Sequence, residues 1–271
     1  MISVTIPVVH GRHLYDVISS VQSSESVDYE IVVNDSSGPK FQASVRETLS
    51  KFSNVRVVHE VARTLHSRSM MAEMSRGDHV LLLDETRTIH PVLLRRLSES
   101  NADLAFIGEE EVGSAVWARW AQIDKQEANQ LSCDDLNPSR QLFCLPRYYE
   151  KDLLRSAYSA ARRKLGEELF LKVTTSELEI PFIEAFKRSK LRAVIGEPLI
   201  RHFADESLWG FVKKYYRYGY GAKMITGTEY SVILNPGTHR RPGTVVPLKS
   251  RLKIDLMLLL RGLPFALGFY L

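Results

Sequence analysis

Two carboxylates and a hydroxyl, Asp84-Glu85-Thr86, close the most apolar run in the first half of the chain, Val80-Leu81-Leu82-Leu83. Such a run reads as a strand buried on both faces of a parallel sheet. Acidic residues at its carboxyl end sit where open α/β sheets hold their ligands. Carboxylate oxygens there suit a hard divalent cation that bridges to phosphate. Burying Asp84 costs desolvation unless a cation lies beside it, so the competing reading is an ion pair with a structural arginine.

Other candidates lie at further strand and helix ends. Asp35 belongs to the turn-rich stretch Asn34-Asp35-Ser36-Ser37-Gly38-Pro39. It either faces a ligand over the sheet edge or holds an Asx-turn with Ser37 and Gly38. Arg68, near the start of a helix, offers a guanidinium beside free backbone N–H groups, which suits a diphosphate; otherwise it is a surface arginine. Ser176-Glu177-Leu178-Glu179 reads two ways. As a capping box it uses Glu179 to open a helix near Pro181. As an extended segment it puts both carboxylates on one side. His202 follows Pro198-Leu199-Ile200-Arg201 and is a structural histidine or a metal ligand.

The elements that must position these groups alternate. Strands are expected at 2–8, 29–33, 55–58, 79–84 and 104–107, with helices near 12–24, 40–51 and 66–76, the last stopped by Gly77, and a short helix opened by Pro91. This order argues for a mostly parallel sheet of βαβ units. Past residue 108 the pattern loosens. The stretch 109–141 is ambiguous, 142–145 reads as a strand, 149–163 and 177–189 as helices, and 191–195 as a strand.

With 271 residues, 44% hydrophobic and 25% charged, the chain fits one large α/β domain or one domain with an appended subdomain. A net charge of +4 does not argue for nucleic acid, and no nucleic-acid partner is expected. The bases cluster late, however: Lys213, Lys214, Arg217, Lys223, Arg240, Arg241, Lys249, Arg251 and Lys253. They form either an anion-facing surface or a solvated face. Trp209, Tyr215, Tyr216, Tyr218 and Tyr220 interleave with the first of them, which fits sugar stacking, a lipid headgroup boundary or an inward-packed helix face. Residues 252–271 are apolar but broken by Lys253, Asp255, Arg261 and Pro264. That fits a helix in the membrane interface, or a tail packed on the domain, better than a span. Cys133 and Cys144 show no metal spacing and point to a reducing compartment. The first residues carry no signal-peptide pattern.

Three common motifs are missing. The first turn, Pro7-Val8-Val9-His10-Gly11-Arg12, lacks Gly-x-Gly-x-x-Gly, and neither a P-loop nor a Gly-x-Ser-x-Gly elbow occurs. Over about residues 2–225 the chain resembles the GT-A-fold, family 2 glycosyltransferases. Ile2-Ser3-Val4-Thr5-Ile6-Pro7 is similar to that family's first strand, and Tyr29-Glu30-Ile31-Val32-Val33-Asn34-Asp35-Ser36-Ser37 to its second strand and Asp-Asp-Gly-Ser loop. Ser67-Arg68-Ser69 stands at its Ala-Arg-Asn, and Leu83-Asp84-Glu85-Thr86 at its Asp-x-Asp metal motif. Ser176-Glu177-Leu178-Glu179 resembles its Glu-Asp motif, and Arg201-His202 a histidine that often follows the next strand.

The resemblance implies an α/β chain of GT-A fold: a Rossmann-like, mostly parallel sheet flanked by helices, with a C-terminal amphipathic helical extension. Residues 1–110 would bind the nucleotide sugar, 111–225 the acceptor, and 226–271 would form the basic, apolar extension. The implied activity is transfer of a sugar, with inversion, from a nucleotide-diphosphate sugar to a glycan or lipid-linked acceptor. Pro7, Asp35, Arg68 and Asp84 would bind the donor, Asp35 by accepting from a nucleobase imide. Asp84, Glu85 and His202 would hold Mg²⁺ or Mn²⁺. Glu179, with Glu177 beside it, would deprotonate the acceptor hydroxyl, a poor nucleophile until it loses its proton. Two positions depart from the family. Thr86 replaces the second aspartate of the metal motif, and a hydroxyl is the weaker ligand. Val9 stands where many members have an aromatic residue. A scaffold without activity and a nucleotidyltransferase are the rival expectations. The expected location is cytoplasmic, peripheral on the inner face of a membrane reached through 209–271.

Overall fold

The structure, a computed structural model, describes the chain apart from Ser26, Arg63, Leu131, 139–144, Glu206 and 235–247, and apart from the side chains of Asp124, Glu127, 248–251 and Ile254. Most of the strand expected at 142–145, together with Arg240 and Arg241, therefore lies outside the described residues, as do the side chains of Lys249 and Arg251.

The first half alternates as the apolar periodicity requires: β1 (Ile2–Val8), α1 (Leu14–Gln22), β2 (Tyr29–Asp35), α2 (Pro39–Leu49), β3 (Val55–Val58), α3 (Thr64–Met74) and β4 (His79–Leu82). β2 and β4 flank β1, and β3 flanks β2, all in parallel. Because side chains alternate across a strand, β4 feeds two cores. Val80 and Leu82 enter the one that also holds residues of α3, and Leu81 and Leu83 the one beneath α1. β4 ends at Leu82, so Asp84 lies just past the strand rather than in it.

Several later elements were not foreseen. A short strand, β5 (Arg87–Ile89), precedes α4 (Leu93–Glu99) and β6 (Leu104–Val112), which runs well beyond the expected 107. The ambiguous stretch contains α5 (Val116–Ala128). Tyr149, expected in a helix, lies in β7 (Tyr148–Glu150); α6 (Lys151–Leu165) starts after it, with the Glu150 carboxylate accepting the N–H groups of Asp152 and Leu153 as a cap. α7 (Glu167–Lys172), α8 (Glu179–Phe186), β8 (Arg192–Phe203), α9 (Leu208–Met224) and α10 (Leu248–Tyr270) complete the chain.

The eight strands of the described residues form one sheet in the order β3-β2-β1-β4-β7-β6-β8-β5. β7 is antiparallel to β4 and β6, and β5 to β8; β6 and β8 are parallel. The boundary expected at 110 falls inside β6. The β6–β8 register slips at Gly108, where a side chain would strike the Glu197 carbonyl. The slip re-aims the strand ends and sets Glu111 opposite His202.

Candidate functional site

The chain leaves β4, turns at Asp84 and enters β5, and the carboxyl edge of the sheet there is dense in charge. Asp84 Oδ1 accepts from the amide (3.1 Å) and the hydroxyl (2.6 Å) of Thr86, and Oδ2 is paired with the Arg87 guanidinium. Arg87 also donates from Nε to Glu109 (3.2 Å). Glu109 further accepts from Lys125 and Arg147. Arg147 Nη1 reaches the Leu82 carbonyl (3.2 Å) and Arg68 Nη1 that of Leu83 (2.9 Å), so two buried guanidinium groups satisfy the end of β4. Burial opposes the ionisation of Asp84 and Glu109, but Arg87 and Arg147 outweigh it and hold both well below the usual carboxylate range. Arg87 stays charged against the same burial because Asp84 and Glu109 face it. Glu109, Arg87 and Arg147 escaped sequence reasoning. The available signals were an arginine three places after Asp84, one helical or turn spacing away, and an acidic run closing the apolar stretch Leu104-Ala105-Phe106-Ile107.

The expected donor and metal residues divide. Arg68 is neither at the surface nor at a free helix start; it is 1% exposed, inside α3, beneath Asp84. Glu85 turns away from any shared cation. Its carboxylate accepts the backbone N–H groups of Val9 (3.1 Å), His10 (3.0 Å) and Gly11 (2.6 Å), which fixes the β1–α1 loop. Gly11 has φ +72, and a Cβ there would also press on Val45, so the loop requires glycine. His202 lies within β8, its Nδ1 2.8 Å from Glu111. Burial and Arg87 push it down to about 4, against Glu111, so the imidazole is neutral at pH 7. Asp84, Glu85 and His202 thus do not assemble into a ligand set, and the described residues contain no cluster of three such groups. The donor set does not fit a resident divalent cation, because the carboxylates that would bind it are already engaged by N–H groups and guanidinium ions.

Asp35 ends β2, opposite Val8 and one pair beyond Pro7–Asn34. Its Oδ1 accepts from the Ser37 amide (3.0 Å) and hydroxyl (2.5 Å), the turn expected from the sequence. Its Oδ2 is buried and takes no hydrogen bond from the described residues; His59 Nδ1, on an exposed side chain, lies 3.3 Å away. Asn34 ties the same strand end to α3, donating to Ser67 Oγ (2.7 Å).

Glu177 and Glu179 lie in the turn that opens α8, neither extended nor a capping box: the N-cap is Leu178 and carries no side-chain bond. Ser176, just before them, has φ +61, a left-handed conformation costly for serine and typical of functional turns. Burial, and then the like charge of Glu177, raise the Glu179 carboxyl to about 7, while Arg147 opposes. The Arg147 charge thus lowers both Glu179 and Asp84. A separate cavity of about 500 Å³, lined by Asn137, Pro138, Ile183, Phe186, Lys187, Arg192 and Val232, lies at the amino end of β8 and includes none of these residues.

No protein-family model matches the chain, and no curated protein matches it in sequence. Solved structures match it in fold. TarS 1–349 of S. aureus in complex with UDP superposes with a TM-score of 0.55 at 13% identity, covering 95% of this chain and 70% of that one. Its complex with UDP-GlcNAc gives 0.58 at 14% identity, covering 95% and 79%. A longer TarS structure gives 0.51 at 13% identity, with 99% of this chain matched to 54% of that one. The chain is therefore an α/β protein of GT-A fold, its sheet flanked by helices and followed by a C-terminal helix.

Proposed function

We propose that the protein is an inverting, family 2 type glycosyltransferase that takes a sugar from a nucleotide-diphosphate sugar and passes it to an acceptor hydroxyl. The observation that carries this reading is the unsatisfied Oδ2 of Asp35 at the carboxyl edge of the sheet. A buried acceptor left unpaired costs about 1–3 kcal/mol, more when charged. The imide N–H of a uracil-type base would satisfy it once the exposed His59 moves aside. The shared fold supports the same donor class, since the TarS complexes hold UDP and UDP-GlcNAc.

Glu179 takes the proton of the acceptor hydroxyl as the oxygen attacks the anomeric carbon. The bond from that carbon to the diphosphate oxygen breaks on the opposite face, so the configuration inverts and nucleoside diphosphate departs. A carboxyl raised to about 7 is matched to this task near neutral pH.

The acceptor we assign is lipid-linked, reached from a membrane surface. Leu252, Leu256, Leu259, Leu263 and Leu267 are all exposed on α10 at helical spacing, forming one apolar stripe. Beside it α9 turns Tyr215 and Tyr218 inward but leaves Trp209, Tyr216 and Tyr220 exposed among Lys213, Arg217 and Lys223. No described helix is long and apolar enough to cross a membrane, so contact would be interfacial.

The test is calorimetry and donor hydrolysis with UDP-, GDP- and dTDP-sugars on the wild type and Asp35→Ala. The variant should bind its nucleotide roughly ten- to a hundredfold more weakly, the value of a hydrogen bond to a charged group. Nucleotide binding without transfer to any acceptor would favour a scaffold, and pyrophosphate release a nucleotidyltransferase.

A further inference from the structure

We propose that Arg87 occupies the role of a divalent cation in this chain, meeting the donor diphosphate directly, so that donor binding needs no metal. The inference rests on the nucleotide-sugar reading above and deepens it.

Charge argues first. Around the β4–β5 turn Asp84 is paired with Arg87, and Glu109 with Arg87, Arg147 and Lys125. A divalent ion arriving there meets carboxylates that the chain's own cations already hold. A diphosphate meets the guanidinium groups of Arg68, Arg87 and Arg147 gathered at one strand end. The donor atoms argue next. Both Asp84 oxygens are in use, Oδ1 by Thr86 and Oδ2 by Arg87, and the Thr86 hydroxyl spends its own proton on Asp84.

Geometry then singles out Arg87 among the three guanidinium groups. Arg68 and Arg147 are almost wholly buried against backbone carbonyls of β4. The Arg87 side chain keeps 12% exposure at the rim. Asp84 holds its Nη1 and Glu109 its Nε, while its Nη2 makes no hydrogen bond to the described residues. β5 pairing with β8, Arg87 opposite His202, fixes the backbone beneath it. A guanidinium clamped on two sides presents its remaining N–H groups with little entropy left to lose on binding phosphate.

The experiment is calorimetric titration of UDP, GDP and dTDP in excess EDTA and again with Mn²⁺, using the wild type, Arg87→Met and Arg87→Lys. We expect wild-type affinity for the preferred nucleotide to agree within about twofold between the two conditions, and Arg87→Met to lose roughly tenfold or more in both. Arg87→Lys, checked for folding by circular dichroism, guards against collapse of the methionine variant. It keeps the charge but not the fork and should bind about tenfold more weakly than wild type. Nucleotide binding that appears only with Mn²⁺ overturns the inference while leaving the donor reading intact, as does wild-type affinity in both Arg87 variants. No nucleotide binding under any condition refutes both.

Discussion

Glu179→Gln tests the proposed role of Glu179 as the base, because it should change rate and stability with opposite signs. The structure raises this carboxyl from 4.5 to about 7 through burial and the neighbouring Glu177. At about 1.4 kcal/mol per pH unit, the difference is worth about 3 kcal/mol. Between those two pH values the folded protein binds the proton that the unfolded chain has released. The stabilisation is therefore full below pH 4.5 and is lost as pH rises through about 7. Glutamine keeps the shape and never ionises, so the variant should gain on the wild type by up to about 3 kcal/mol between pH 4.5 and about pH 8, read from paired urea melts at each pH. Transfer should meanwhile fall by about 10²–10⁴-fold. The wild-type kcat/KM should climb tenfold per pH unit on its acid side and level off above about 7. Glu177→Gln removes the like charge and should move that limb to lower pH. Stability curves that run parallel across this range, or a rate without an acid limb, would refute Glu179 as the base.

Two further outcomes test the packing around the site. Glu109→Ala leaves Arg87, Arg147 and Lys125 facing one another in a buried place and should cost about 3–5 kcal/mol in chemical denaturation; a loss under about 1 kcal/mol would show that water already screens the cluster. Leu259→Glu with Leu263→Glu puts charge into the exposed stripe of α10 and should abolish co-sedimentation with anionic vesicles while leaving donor hydrolysis unchanged. Equal sedimentation of variant and wild type would remove α10 from the membrane reading.

The half of the molecule that was legible in the sequence is the half built from local pattern. β1 to β4 and their helices follow runs and periodicities contained within a dozen residues, and a parallel sheet leaves little freedom once those are set. Asp35, Asp84 and Glu179 could be singled out because each closes or opens such an element. β7 could not. Three residues cannot display alternation, and Tyr149 falls in phase with the helix that Glu150 caps. β5 is as short, and β8 hides its length behind the slip opposite Gly108.

The electrostatic part of the site was illegible for a different reason, and it is the part that decides the chemistry. Glu109 draws its partners from 16, 22 and 38 residues away, on α5, β5 and the approach to β7, and sequence spacing carries no trace of such meetings. Read linearly, Asp84-x-Thr86 is a metal motif with one ligand weakened. In three dimensions the residue after it matters more. Arg87 ties Asp84 to Glu109 and lies opposite His202, and so faces three of the groups that a linear reading leaves free for a cation or never considers. Glu85, the remaining expected ligand, is drawn off by the amides of the β1–α1 loop, because a loop that exposes three N–H groups in succession binds the nearest carboxylate in a protein as readily as it would an external anion. A carboxylate at a strand end is thus a ligand only to the extent that no cation or amide of the chain itself reaches it first, and here the chain holds Asp84 and Glu85 but leaves one oxygen of Asp35 without a hydrogen bond from the described residues, faced only by the exposed His59.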